Sequence, residues 1–553
     1  MSHANQFVTH IVENQAPPLA PYDAYATDIP LRDALHREGG GWAEKEIAAF
    51  GPVVGGELMQ LGFAANENKP KFKPFDRYGN RIDEIEFHPA WHRILEIGIA
   101  HGVPSFAWRN EAKTGAHVAR AALSYLHGQP EQGNGCPLTM TYACVPTIRH
   151  QPELAKTWMP RITSTEYDSR FIPAWEKKCN TIGMGMTEKQ GGSDVRANTT
   201  KAYALGAGGP GQLYELVGHK WFFSAPMCDA FLVLAYVEQG ISCFLLPRFT
   251  PDGRRNAIRI QRLKDKLGDW SNASSEVEFQ GAVGWMVGEP GRGVATILEM
   301  VALTRQDCMI GSSAIMRQSL VQAIHHTRHR KAFGKLLSEQ PLMQNVLADL
   351  SLESEAAVAL TLRVSRAIDA APRDAGEAAF ARIATAIGKY WICKRTPAFI
   401  NEAQECLGGA GYVEESILPR LYRQAPLNSI WEGSGNIQCL DVLRALSKEP
   451  ETREAFFAEL LSVRGEHPDL DQENRWLGQA FDDKTTLELR SRHVVERMAL
   501  ALQAAILIRA GNAEVANAFC SSRLAGDHGL AFGTLAADAP MRGLIERALP
   551  SAG

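Results

Sequence analysis

The hydrophobic period of this chain changes twice, and that pattern limits its folds more than any other feature. Residues 91–128 carry apolar side chains at helical spacing, as in WHRILEIGIAHG and AHVARAALSYLHG, and TMTYACVPTIRH after Pro137 continues the pattern. Near Thr181 the period becomes that of strands. Segments 213–217, 220–224, 230–237 and 242–246 read as short β-strands, with 276–279 as a further candidate, separated by Gly, Pro and Asp turns. The GAGGPG run at 206–211 reads as a hairpin tip. From about residue 294 the helical period returns over 294–329, 341–371 and 377–407, with connections short enough to make neighbouring helices antiparallel. The chain therefore reads as α+β: an N-terminal extension and helical domain (1–180), a β domain (181–290), a helical bundle (291–449) and a helical C-terminal extension (450–553) that starts at the Lys448-Glu449-Pro450 break. Residues 1–90, punctuated by Pro and Gly, are mixed in character.

With 553 residues, 45% of them hydrophobic and 22% charged, the chain has ample material for several buried cores. A net charge of −4 exerts no global pull toward nucleic acid. The ten cysteines show no C-x-x-C pair, which argues against a disulfide framework or zinc ribbon and fits a reducing cytoplasm. The N-terminus lacks a basic stretch followed by an apolar run, so no signal peptide is expected, and no uninterrupted apolar run approaches the roughly 20 residues that span a bilayer.

Four motifs carry the chemistry. Residues 185–197 read GMTEKQGGSDVRA. Gly191 and Gly192 leave backbone N–H groups open to close approach, and Thr187 and Ser193 add hydroxyls, which suits a polar, planar or phosphate-bearing ligand. Next come RKAFG at 330–334, ECLGGAGY at 405–412 and IWEGSGNI at 430–437. In order and wording these four segments resemble the signatures of the acyl-CoA dehydrogenase family, over roughly residues 85–447. The N-terminal segment, the TEKQGGSD wording and the C-terminal extension resemble most its AidB, or alkylation-response, branch.

The resemblance implies FAD as cofactor, an acyl-CoA-type small molecule as substrate and a homotetramer as assembly. It implies oxidation of an acyl thioester between its α and β carbons, with Glu432 as the base and hydride leaving for flavin N5. Relatives that use a glutamate on the first bundle helix have it just before an arginine; here that pair is Thr304-Arg305, and threonine cannot act as a carboxylate base. Carried over position by position, the cofactor contacts are Met184, Met186, Thr187, Gly192, Ser193, Phe222, Phe223, Ser224, Arg330, Trp431, Gly433, Ser434 and Asn436. Phe222 takes the place of a tryptophan flanking the flavin, and Ser224 that of a threonine bonding N5. For Phe223, strand core is the competing reading. Arg330 reaches the flavin of a neighbouring subunit in the family, where its guanidinium suits a pyrophosphate. Two positions depart from the pattern: Glu405 stands where many relatives have glutamine, and Gln424 replaces an acidic residue.

The HHTRH run holding His325, His326 and His329 has no third ligand nearby, and no metal site is expected. The alternative function is an AidB-like flavoprotein that binds or protects DNA with little or no dehydrogenase activity; a flavoprotein without a substrate is a third reading. Region 451–553 has 11 basic against 15 acidic side chains, so duplex binding is expected to be weak and salt-dependent, with Arg490, His493 and Arg497 on one helical face as its local candidates.

Overall fold

The computed structural model describes residues 7–550. The N-terminal region is more helical than its Pro and Gly content suggests. It holds α1 (Ile29–Arg37), α2 (Glu44–Val53) running through one wide turn into α3 (Met59–Glu67), a hairpin of β1 (Lys71–Phe75) and β2 (Arg81–Glu86), then α4 (Pro89–Ala100), α5 (Phe106–Arg109), α6 (Ala116–Gly128), α7 (Gly135–Arg149) and α8 (Pro152–Ile162). Several of the prolines in this region are helix starts. Pro30, Pro89 and Pro152 occupy the first turn of their helices, where the missing N–H has no intrahelical partner to lose. Asp28 caps α1 by accepting the Leu31 N–H at 3.0 Å, and also binds Tyr125 and Arg317.

The segment Gly41–Glu67 is long and apolar enough to cross a bilayer by length and composition, an exception to the sequence-based expectation. In the fold its Ile47, Phe50, Val54 and Leu58 are fully buried in the N-terminal core with α4 and α6.

The β region consists of β3 (Ile182–Gly185), β4 (Lys201–Ala204), β5 (Leu213–Ser224), β6 (Ala230–Val237), β7 (Gly240–Pro247), β8 (Ile258–Leu263) and β9 (Ser274–Val287). The pairings β6–β4–β5–β9–β7–β6 return to their starting strand, so five strands close on themselves; β3 adds in parallel to β6 and β8 adds to β9. The segments 213–217 and 220–224 form one bulged strand, and 276–279 lies within a strand of 14 residues. The run 206–211 connects the antiparallel pair β4–β5, as its composition suggests. Phe223, Phe231, Phe244 and Phe279 fill the interior together with Tyr142 and Ile148 of α7.

Three long helices make the bundle: α9 (Gly293–His329), α10 (Pro341–Ala370) and α11 (Ala375–Leu407). Between α9 and α10 a two-residue-per-strand hairpin, β10 (Lys331–Ala332) and β11 (Lys335–Leu336), carries Phe333 at its tip, 99% exposed. The short α12 (Leu418–Gln424) and then α13 (Gly435–Lys448) follow. The C-terminal region contributes α14 (Pro450–Leu461), α15 (Pro468–Ala480), α16 (Leu487–Arg509), α17 (Ala513–Phe519) and α18 (Met541–Glu546). It shares one core with the bundle: Val494, Met498 and Leu502 of α16 are buried with Ile383 and Ile387 of α11. Buried ion pairs secure the junction, among them Arg523 with Asp349 and Glu353, and Arg363 with Glu459 at 2.8 Å.

The basic face read on α16 is committed internally. Arg497 binds the buried Glu473 and the carbonyls of Arg523 and Leu524, and Arg490 binds Asp483 and Thr486. His493 lies edge-on to Trp476. These side chains, named from sequence as candidates for DNA contact, are structural, because each arginine already satisfies a carboxylate of its own region. Arg497→Ala strands Glu473 without its cation, and we expect a loss of about 3 kcal/mol in denaturant unfolding. Duplex binding measured at low salt should be unchanged in the same variant.

Candidate active site

Glu432 lies in the turn between α12 and α13 with φ +56°, a left-handed conformation uncommon for a residue with a side chain. Such a backbone persists only where its surroundings hold it. Here the clamp is visible. The fully buried Lys389 of α11 donates through Nζ to the carbonyls of Trp431 (2.8 Å) and Gly433 (2.6 Å), on either side of Glu432. Arg305 of α9 donates from Nε to the Glu432 carbonyl at 2.9 Å and is itself fixed by Asp441 at 2.8 Å. Gln438 of α13 adds bonds to the carbonyls of Glu432 (3.0 Å) and Gly433 (2.9 Å). Gly433 has φ +96°, and a Cβ there would lie 2.7 Å from Gln438 Nε2, so only glycine fits.

The Glu432 side chain points to Thr304, whose hydroxyl donates to Oε2 at 2.9 Å. Desolvation raises its carboxyl above the ordinary carboxylate range, and the Thr304 hydrogen bond with the charges of Lys389 and Arg305 pulls part of the way back. The arrangement yields a carboxylate with one oxygen engaged, the other free, and an elevated affinity for a proton.

The glycine-rich segment leaves β3 at Gly185. Met184 and Met186 are half-buried against the β core, and Trp431 packs on that same cluster from the bundle side. The Thr187 carbonyl accepts from the Trp221 N–H at 2.9 Å, which ties the segment to β5. A Cβ on Gly192 would meet Thr187 Oγ1 at 2.3 Å, whereas the space beside Gly191 is open. Ser193 is exposed. Beneath the turn, Glu188 is fully buried and accepts from Lys220 Nζ (2.9 Å), Thr200 Oγ1 (2.6 Å) and the Thr199 N–H (2.7 Å). Burial alone would raise its carboxyl; Lys220 and these donors overcome that and hold it down at about 2.

Ser224, the last residue of β5, accepts from Asn272 Nδ2 at 2.9 Å and lies 3.0 Å from Cys136 Sγ of α7. Burial pushes the Cys136 thiol up to about 12. Phe222 is 57% exposed, with Lys264 Nζ 4.6 Å from its ring centroid. Phe223 requires a correction to the position-by-position transfer: its side chain is fully buried, 4.3 Å centroid to centroid from Phe231, because alternate side chains of a strand face opposite sides. Ser434 stands at the N-cap position of α13 with its exposed hydroxyl making no cap bond, and Asn436 is exposed in the first turn.

Arg330 stands apart. It ends α9, 26 residues beyond Thr304, which at 1.5 Å per residue is about 39 Å along the helix. Within one chain it binds the Asn14 carbonyl at 2.7 Å, remote from Glu432. Glu405 is exposed and bonded to Asn401, while both amide atoms of Gln424 are buried without a protein partner among the described residues. His325 meets the Pro17 carbonyl at 2.8 Å, and no group of three or more metal-ligating side chains gathers among the described residues. Sequence reasoning missed Lys389, Glu188, Cys136 and Asn272. Lys389 had a signal, a lone lysine inside the apolar run AIGKYWIC, and Glu188 lies within the first glycine-rich motif; Cys136 and Asn272 had none.

Three domain models match in order: the adaptive response protein AidB N-terminal domain over residues 14–169, the acyl-CoA dehydrogenase middle domain over 183–282, and the acyl-CoA dehydrogenase C-terminal domain over 291–447. An Escherichia coli (strain K12) protein named "Putative acyl-CoA dehydrogenase AidB" is 46% identical over 93% of this chain and 94% of its own length. The chain belongs to the acyl-CoA dehydrogenase family, in its AidB branch. Among solved members, Caenorhabditis elegans ACDH-11 in complex with C11-CoA superposes with a TM-score of 0.84 at 26% identity, covering 95% of each chain. The Bacillus anthracis acyl-CoA dehydrogenase complexed with FAD shares the fold at a TM-score of 0.64 and 16% identity, covering 93% of this chain and 85% of its own.

The residues present fit the family's cofactor. The open backbone at Gly191, the exposed hydroxyls of Ser193 and Ser434, and the free N–H groups at the start of the 14-residue α13 form a donor set suited to a planar dinucleotide with phosphates. The support beneath it is testable. Glu188→Gln leaves Lys220 buried without its counter-ion, and we expect a loss of about 3–5 kcal/mol at neutral pH. Because the Glu188 carboxyl is held at about 2, its contribution is present above the unfolded value of about 4.3 and fades as pH falls toward 2. The stability profile of the parent should therefore fall across that interval and that of a Glu188→Gln/Lys220→Met double variant should fall less, as read by denaturant midpoints.

Proposed function

We propose that this protein is a FAD-dependent oxidoreductase that dehydrogenates an acyl thioester between its α and β carbons. The observation that carries this reading is Glu432: a carboxylate held in a strained backbone by Lys389, Arg305 and Gln438, desolvated, and oriented by Thr304. Bound FAD would supply the hydride acceptor. Its holders in this chain would be Met184, Met186, Thr187, Gly192, Ser193, Phe222 and Ser224 on the β side, and Trp431, Gly433, Ser434 and Asn436 on the bundle side. Arg330 would serve a second subunit of a homotetramer, a reading supported by its distance from Glu432 in its own chain.

Glu432 takes the α-proton. Its Oε2 is occupied by the Thr304 hydroxyl, so Oε1 is the oxygen free to accept. Desolvation makes that oxygen a stronger base than a carboxylate in water, and the apolar side of Trp431 helps to keep water away. Thr304 orients the acceptor without competing for the proton. The cationic clamp of Lys389 and Arg305 binds backbone carbonyls rather than the carboxylate, so the base stays free of a direct ion pair.

Glu432→Gln keeps the shape of the turn and loses the proton acceptor. Anaerobic flavin bleaching across a panel of acyl-CoAs should slow by roughly 10²–10⁴-fold while the bound colour persists. Equal rates in parent and variant would remove Glu432 from the mechanism, and no bleaching of the parent by any acyl-CoA would remove the reaction itself. The bleaching rate should rise with pH as Glu432 deprotonates, with its inflection above the ordinary carboxylate value. Thr304→Val removes a bond that lowers the Glu432 value, so this inflection should move to higher pH.

A further inference from the structure

A second cleft lies outside the site just described. It has a volume of about 210 Å³ and is bounded by β2, α4, the segment 167–171 that follows α8, and the β-domain residues Thr181, Met227 and Arg248. None of the residues placed at the Glu432 site lines it.

The cleft is lined by the apolar side chains of Phe87, Trp91 and Leu95 and by a polar pair, His92 Nδ1 and the Tyr167 hydroxyl, that bond at 2.8 Å. Its charges are the informative part. Four acidic side chains line or adjoin it, and each has its own cation: Glu84 with Arg255 at 2.6 Å, Glu86 with Lys73, Asp168 with Arg170 at 2.7 Å, and Asp229 with Lys177 at 2.8 Å. Arg248 is left over. Among the described residues no carboxylate lies within 4.0 Å of its guanidinium, and the only side-chain hydrogen bond it makes is to the Met227 carbonyl. It stacks on Phe171, 3.9 Å from the ring centroid. Burial lowers its proton affinity, to about 10, which still leaves it charged at neutral pH. The indole N–H of Trp91, also in the lining, is buried without an acceptor.

Arg248 is half-buried, and with five donors and one protein acceptor its guanidinium has donors to offer an anion in the cleft. The apolar lining suits a hydrocarbon body, and a volume of about 210 Å³ suits a small ligand. We propose that this cleft binds a small organic monocarboxylate with an apolar body, such as a short fatty acid, with Arg248 as its counter-ion. The site is independent of the dehydrogenation proposed above.

Calorimetric titration of the flavin-loaded protein with hexanoate and with its neutral isostere hexanamide tests the assignment. Hexanoate should bind saturably and roughly tenfold or more tighter than the amide, as a charge-assisted contact requires. Arg248→Met, which keeps the stem against Phe171, should abolish that difference, and Glu432→Gln should leave it intact, separating this cleft from the thioester site. Should Arg248→Met fail to fold, Arg248→Lys keeps the charge without the planar fork and should weaken hexanoate but not hexanamide. Equal binding of acid and amide, no saturable binding of either, undiminished preference in Arg248→Met, or parallel effects of Arg248→Lys on both probes would overturn the proposal.

Discussion

One buried helix ties the molecule together. Along its 37 residues α9 contributes Ile297 and Met300 to the core of the β domain, Ile310 and Ala314 to the N-terminal core, and Ile315, Leu320 and Ile324 to the bundle. Its polar side chains do comparable duty. Asp307 is the counter-ion of the fully buried Arg120 on α6, Arg317 pairs with the Asp28 cap of α1 at 3.2 Å, and Thr304 with Arg305 grips the Glu432 turn. A helix packed on all sides cannot shift without disturbing three cores at once. That rigidity lets a turn on one domain and a loop on another meet with fixed geometry.

The Glu432 turn shows how such a fold keeps a carboxylate on a strained backbone. Left-handed backbone at a glutamate costs free energy, and a desolvated carboxylate costs more. The compensation comes from outside the turn, from Lys389, Arg305 and Gln438, each bonded to a carbonyl and none directly to the carboxylate. Cations close enough to hold the loop make no direct ion pair with the carboxylate. The β side follows the same logic: the Glu188–Lys220 pair is buried under the glycine-rich turn, so the surface above it is left with open backbone and free hydroxyls.

Much of this was legible in the chain. The change of period near Thr181 and its return near 294 mark the β domain and the bundle closely, because side-chain burial in a two-fold or 3.6-fold pattern is a local property. The helices within residues 1–90 were obscured because prolines such as Pro30 look like interruptions, although a first-turn proline sacrifices no helical hydrogen bond. Strands β4 and β8 were missed because their outward faces are polar and their burial depends on β5 and β9.

The sequence by itself determined the succession of helical and strand regions and the family, since motifs of glycine, hydroxyl and carboxylate recur at spacings set by local turns. Tertiary structure alone decided what surrounds them. It turned Phe223 inward, allotted Arg490 and Arg497 to carboxylates of their own region, aimed the Thr304 hydroxyl at Glu432 from 128 residues away, and left Arg248 without a partner. Pairing between charges distant in sequence depends on which elements pack together and on how much water remains between them, and neither is written in local periodicity.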